Sequence, residues 1–458
     1  MPLDSPLLRP SRLAFCAAFA VSLGGLYCLR HLPLPESPLG RGTVVVQDVA
    51  VFDPQTLALQ PHQDLVWTDG RISALRPTGK ALPEDAVHID GRGMSALPGF
   101  CDAAVFLSLE GLYPQNSVPA DPAQSLRRQM SGGVSSLLDL NAHRTFMGKT
   151  RALVDQAAEP WPRLRFAGAL FAAPGGWRVG GQTPWDSHVA ELSEVEDLDA
   201  SWPLHLRFRD QAVFASVEHE GRDGLAIPLP VLQRLGELAH AQGVPFIIHA
   251  QHPSKALQAL AAQPDAILGP LLTDEGVPEL AKAMAGARIS YLPALGSVLN
   301  GWPGEALMPR WLQYGAEDSQ GTTLLAHASD PALNAVWTKH ILRQNLDRKA
   351  LMRALLDMYQ AKVPLALGTG SGLPLVFHGT GRIGEFELWQ EAGIPEAQIL
   401  RAATLNSHRL AGLGGGRLIP GSRADVLLVI GDPLSTPVSL ERVRSVFIGG
   451  QAVALPQP

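Results

Sequence analysis

The sequence predicts an α/β protein, a (β/α)8 barrel joined to a small composite β-sandwich domain that both ends of the chain build together. Three observations predict it. Eight short apolar runs alternate with helical stretches over about 300 residues, as strands separated by covering helices do. Strand-like segments precede and follow that alternation. A length of 458 residues, 46% hydrophobic and 17% charged, supplies one large core and an accessory domain.

Taken in order, the chain opens on an apolar segment, 13–29, reading LAFCAAFAVSLGGLYCL without a charge and preceded by Arg9 and Arg12. A spanning helix needs about 20 apolar residues, with a lower limit near 17. A signal-peptide apolar region is shorter, about 7–15, and no A-x-A cleavage site follows. Neither Cys16 nor Cys28 is preceded by the small residues of a lipoprotein signal. The arginines place the N-terminus in the cytoplasm and the body across the membrane. The expectation is an exported protein, periplasmic or otherwise extracytoplasmic. Its N-terminal hydrophobic helix is either retained as an inner-membrane anchor or removed as a signal; a buried apolar helix is the plainer alternative. The Pro-rich stretch 31–38 reads as a linker, so 1–40 forms a unit apart from the fold.

The first part of the β domain is expected over 41–97. Thr43-Val44-Val45-Val46 opens it, and Asp64-Leu65-Val66-Trp67 and Arg71-Ile72-Ser73-Ala74-Leu75 flank the hairpin dipeptide Asp69-Gly70. Ala86-Val87-His88-Ile89 adds a strand. The second part, 413–458, repeats this texture at 424–429 and 443–448.

The barrel is expected over 98–412. Its candidate strands are 100–107, 134–140, 164–171, 203–208, 245–249, 266–272, 289–295 and 364–367, with the clearest helices at 230–242, 253–263, 278–285 and 334–361. Periodicity alone leaves a doubly wound open sheet as the alternative, though no phosphate-cradling signature supports one. Gly414-Gly415-Gly416 follows a helical stretch, which reads as a helix stop. A formal charge of -6, a pI near 6.2 and the absence of any Lys/Arg run exclude a nucleic-acid partner. Three cysteines, Cys16, Cys28 and Cys101, are too few and too scattered for a disulfide framework or a zinc site.

Ala96-Leu97-Pro98-Gly99-Phe100-Cys101-Asp102 resembles the first barrel strand of the amidohydrolase superfamily, in its imidazolonepropionase-like and prolidase-like branch. Gly133-Val134-Ser135-Ser136-Leu137-Leu138-Asp139 looks like that branch's second strand. Ala402-Ala403-Thr404-Leu405-Asn406 and Gly421-Ser422-Arg423-Ala424-Asp425-Val426 look like its C-terminal elements. The resemblance implies a hydrolase of carbon–nitrogen bonds with five metal-binding positions. The first two, histidines in Pro-Gly-x-x-Asp-x-His-x-His, fall here at Ala104 and Phe106. The third is a carboxylated lysine on the fourth strand. With that strand at 203–208 it finds only Leu204-His205-Leu206-Arg207-Phe208, and no lysine lies between Lys149 and Lys255. The fourth is retained as His249. The fifth falls at Gly269, and the acid/base aspartate of the last strand at Gly370.

Alanine, phenylalanine and glycine offer no lone pair, and arginine no acceptor. A catalytic zinc takes three protein ligands plus a water whose pKa it lowers to about 7, which one imidazole cannot do. No metal is therefore expected. A relocated site could use His205, His249 and His252, but Arg207 beside His205 disfavours a cation. Metal-free chemistry has less support. Ser371 lies in a glycine-rich turn at the expected barrel mouth without a base partner in sequence. Cys101 reads as a buried thiol, and Glu218 and Glu220, flanking His219, as a solvated loop. His249, His378 and Ser371 are the substrate-pocket candidates.

The expected function is a catalytically degenerate amidohydrolase-like protein with a structural, regulatory or binding role. It would need no cofactor. It would pair with an active relative or with itself, and meet the membrane through its N-terminal helix. The alternative is an active hydrolase of a small amide, cyclic amide or dipeptide with a reorganised site, which would use a divalent metal such as zinc.

Overall fold

The computed structural model describes residues 40–81, 83–111, 120–156, 159–179, 189–220, 224–299, 346–436, 438 and 442–454. The expected N-terminal helix at 13–29 and the linker after it lie outside the described residues. So do Cys16, Cys28 and the part of the expected helix 334–361 before residue 346. Among the described residues, no helix is long and apolar enough to cross a membrane.

The chain begins with an antiparallel meander: β1 (Thr43–Asp53), β2 (Ala58–Thr68) and β3 (Arg71–Pro77). Asp69 and Gly70 turn between β2 and β3 with φ of 47° and 73°, the paired positive values that a two-residue hairpin of matching twist requires. β4 (Val87–Asp90) and β5 (Met94–Pro98) both lie parallel to β1, β4 against its first half and β5 against its second. The register of β1 breaks between Val46 and Val49, so one strand serves two neighbours.

Beyond Gly99 the strands become parallel. β6 (Phe100–Val105), β7 (Val134–Asp139) and β8 (Arg163–Phe166) pair in sequence order. β9 (Leu170–Ala172) continues from β8, with β10 (Val189–Glu191) on one edge and β11 (Val213–Ser216) on the other. β12 (Phe246–His249), β13 (Ala266–Leu268) and β14 (Ser290–Leu292) follow in order. The extended segment 364–371 closes the ring: Ala366 N–H donates to Tyr291 O at 3.0 Å, and on its other side Ala103 N–H donates to Leu367 O at 2.8 Å. Runs such as Phe246-Ile247-Ile248 are buried on both faces, which explains why they are apolar without alternation.

Helices between the strands cover the outside: α1 (Pro122–Ser131), α2 (Arg144–Asp155), α3 (Asp197–Arg207), α4 (Leu229–Gln242), α5 (Pro253–Ala259), α6 (Val277–Ala287) and, after α7 (Gly296–Leu299), α8 (Arg348–Gln360), α9 (Gly381–Glu391) and α10 (Glu396–Arg401). A wide turn at Ala402–Asn406 leads into α11 (Ser407–Leu410). One apolar cluster, with Leu137, Phe171, Val231 and Ile248, lies between strands and helices; a second, with Ala104, Phe106, Phe214 and Leu268, fills the ring itself.

One expected strand is corrected. Residues 203–208 belong mostly to α3, and the fourth strand of the ring is β11. The alternation Leu204-His205-Leu206-Arg207-Phe208 imitates a half-buried strand, whereas Ala212 to Val217 is the continuous apolar run of a strand buried on both faces.

The chain ends with β15 (Val426–Ile430), β16 (Val443–Ile448) and β17 (Gln451–Ala452). β15 pairs antiparallel with β5, Val426 opposite Pro98. The result is one eight-stranded sheet, ordered β17-β16-β15-β5-β1-β2-β3 with β4 beside β1. Both ends therefore build it together, as one hydrogen-bonded sheet forked along β1. Its core holds Val46, Leu65, Trp67, Val426 and Phe447, with the Trp67 and Phe447 rings 5.0 Å apart.

Candidate functional site

The carboxyl ends of the ring strands form the pole where barrel proteins place their chemistry. Asp102, on β6, is buried and ties two strands: its Oδ1 accepts from Ala104 N at 3.2 Å and Thr369 N at 3.0 Å. Ala104 and Phe106 follow it into the ring interior. The Phe106 ring lies 6.3 Å from that of Phe214 on β11. Phe214 meets the edge of Trp177 at 6.3 Å, and Trp177 lies 3.9 Å from the His249 ring at 31°. An aromatic file, Phe106, Phe214, Trp177 and His249, thus runs across the strand ends. β11 contains no lysine, and its inward-facing bulk is Phe214.

His249 ends β12, directly opposite Ser216 in the β11–β12 register. Its Nδ1 lies 3.0 Å from Ser216 Oγ, which also accepts from Glu218 N at 3.3 Å. Burial pushes the imidazole down to about 4, so it is neutral at pH 7. Glu218 is buried rather than part of a solvated loop, which corrects the sequence expectation. It accepts from Gln251 N at 2.7 Å, His252 N at 3.2 Å, His252 Nδ1 at 3.1 Å and Lys255 Nζ at 2.9 Å. Burial alone would raise this carboxyl, but the hydrogen bonds from His252 and Lys255 outweigh it and hold the group at about 2. The carboxylate therefore pins the β11 end to the start of α5.

Gly269 follows β13 with φ 127°, and a Cβ there would lie 3.2 Å from both Ala250 O and His249 Cδ2. A side chain at that position would be strained in backbone and crowded against the imidazole. Gly370 N–H donates to Ala104 O at 2.9 Å, which uses it to close the ring.

The remaining sequence-predicted residues lie apart from His249's polar contacts. Ser371 is buried; its Oγ is 2.6 Å from Thr369 Oγ1, which donates to Asp102 Oδ2 at 2.5 Å. Burial lifts Asp102 to about 7 against those hydrogen bonds. His378 has both nitrogens engaged: Gln129 Nε2 donates to Nδ1 at 3.1 Å, and Nε2–H donates to Leu109 O at 2.8 Å. It clamps α1 to the segment after β6. Cys101 is a buried thiol whose pKa burial raises. His205, expected near the site, is on α3 instead, stacked on Trp202 at 4.5 Å with Nδ1 3.4 Å from Asp210, a residue that precedes β11 at the opposite pole. His252 caps α5 and meets Glu218. Among the described residues, no three His, Cys, Asp or Glu side chains are grouped to hold a metal ion.

Sequence reasoning missed Trp177, Phe214, Ser216 and Lys255. The run Ala212 to Val217, read as a strand, would have found Phe214 and Ser216; nothing local marks Trp177.

The amidohydrolase family profile matches residues 94–453, most of the described fold. The chain belongs to the amidohydrolase family. No curated protein matches it. Solved structures similar to this family member include a Xaa-Pro dipeptidase with bound methionine, at TM-score 0.71 and 16% identity over 90% of this chain and 99% of that one. A putative prolidase from Bifidobacterium longum has TM-score 0.68 and 20% identity over 93% and 96%. Molinate hydrolase has TM-score 0.69 and 15% identity over 90% and 95%. At these identities the likeness is one of fold.

Proposed function

We propose that this amidohydrolase-family protein is catalytically degenerate, keeping the family's (β/α)8 barrel and composite domain for a binding or regulatory role. One observation carries the reading: Phe106 and Phe214 pack together at the strand ends, and the imidazole beside them, His249, is bound to Ser216 and stacked on Trp177. A catalytic zinc requires about three protein ligands and an open position for water. The nearest carboxylate, Glu218, already accepts from Lys255, His252 and two backbone amides. A partner of the same family or a second copy of the chain, and export through the N-terminal segment, complete the proposal.

A second reading is an active hydrolase of carbon–nitrogen bonds with a reorganised site. The similar structures favour it, since a Xaa-Pro dipeptidase and molinate hydrolase are among them. In that case a divalent ion such as zinc would be held with His249 as one ligand. Elemental analysis of the purified full-length chain separates the two. The first reading expects metal well below one equivalent and no effect of a chelator on thermal stability. Near-stoichiometric zinc, nickel or manganese, with turnover of a dipeptide or amide that the chelator abolishes, would establish the second and remove the first.

A further inference from the structure

Half of the large apolar side chains exposed among the described residues fall in one short stretch: Val195 at 38%, Leu204 at 50% and Phe208 at 37%. All three lie on or beside α3, outside the ring. The helix turns Leu198 and His205 inward. Its outward side carries Glu196, Ala200, Pro203 and Arg207, all exposed. Steps of four, three and four residues keep these in one stripe on a helix of about 3.6 residues per turn. Leu204 flanks the stripe on the side of Ala200, and Phe208 continues that flank past the helix end.

The charges are sorted by end. Glu194, Glu196 and Asp199 stand exposed at the start of α3, and Arg207 and Arg209 at its close. Glu196 and Arg207 are about 16 Å apart along the axis, at about 1.5 Å per residue, too far to pair with each other. Among the described residues, neither has an ion-pair partner elsewhere in the chain.

The stripe is also a palindrome. Read backwards, its steps are again four, three and four. A half-turn about the midpoint between Ser201 and Trp202 therefore lays position 196 on position 207 and position 200 on position 203.

We propose that α3 is the contact surface of a two-fold homodimer, packed antiparallel on the same helix of a second copy. Glu196 of each copy then faces the partner's Arg207, and Leu204 covers the partner's Ala200. A two-fold contact uses one patch twice, so it needs a surface complementary to itself. That symmetry selects a second copy over an unrelated partner, for which a palindrome has no use. One helix against its copy lies at the low end of specific interfaces in area, so the dimer is weak and concentration-dependent. This gives a surface to the self-association proposed above and rests on that part of the reading alone. It holds whether or not the strand ends bind a metal, so elemental analysis and the test below can fail separately.

Sedimentation velocity of the full-length chain, over about a hundredfold range of concentration, measures the equilibrium. A reversible passage from monomer to dimer is expected. Arg207→Glu sets like charges together at both ends of the contact and should weaken the dimer by about tenfold or more. Adding Glu196→Arg restores opposite charges and should return the dissociation constant to within about threefold of the parent's. Leu204→Gln, at a side chain half exposed in the single chain, should weaken the dimer while thermal unfolding of the monomer stays cooperative. Arg234→Glu, in an exposed pair with Glu237 on α4, should leave association unchanged. The proposal is overturned by a monomer at every concentration, or by a dimer that either Arg207→Glu or Leu204→Gln leaves intact. It is equally overturned if the double variant fails to restore the dimer or if Arg234→Glu weakens it as much.

Discussion

His249 sits neutral beside Ser216 and Trp177 because burial pushes its pKa down to about 4. The unfolded chain carries a histidine near 6.5, so between those values unfolding takes up a proton. The stability His249 contributes is thus complete above about pH 6.5 and is lost as pH falls toward 4, up to about 3 kcal/mol at the acid end. Buried Asp102 and Glu385, both raised to about 7 chiefly by burial, act with the opposite sign over much of that range. The contrast to measure is therefore between chains. Urea unfolding of His249→Asn between pH 7 and pH 4 should lose less stability on acidification than the parent, and equal slopes would contradict the assignment. Phe106→Ala should cost about 3–5 kcal/mol, since the ring is 1% exposed and packs on Phe214. That Phe106 enters the ring was plain in the sequence, because the apolar run of β6 leads into it. Glu218 was not: a Glu-His-Glu run reads as solvated, and only the fold brings Lys255 and the α5 amides to it.

At the level of elements, α3 carries Pro203 in its interior, where the ring removes an amide donor from the helical ladder. Pro203 is exposed, so Pro203→Ala should raise stability by about 1–3 kcal/mol, read as a higher unfolding midpoint. A neutral or negative effect would mean that α3 depends on the kink. This proline also helped to hide the helix, since Pro203 followed by alternating residues suggests a strand start. Strand content elsewhere was legible wherever burial on both faces left a continuous apolar run, as in β12 and β13. The Asp69-Gly70 hairpin was legible for a different reason, its dihedral demand. Gly70→Ala should cost about 1 kcal/mol, because φ of 73° there suits glycine.

Across the whole molecule, the eight-stranded sheet depends on both ends of the chain. Its two-ended assembly was legible because each end has strand-like runs punctuated by turn residues, unlike the alternation between them. The forked use of β1 was not, since a register break leaves no mark in composition. Removing residues 424–454 would take away β15, β16 and β17 and strip one side of β5 along Met94–Pro98. The shortened chain should lose cooperative unfolding and precipitate; a soluble fragment with a sharp transition would show that the barrel stands alone.

The pairing of Val426 with Pro98 also bears on how the protein is made. A nascent chain leaving the ribosome exposes one edge of β5 long before its partner β15 has been translated, and N-terminal segments ordinarily fold first during synthesis. Here β5 must wait, with one unsatisfied edge, until more than three hundred further residues have emerged (Val426 against Pro98). Chaperone protection during that interval is the cost of such an arrangement, and slow, late closure of the sheet is its kinetic signature.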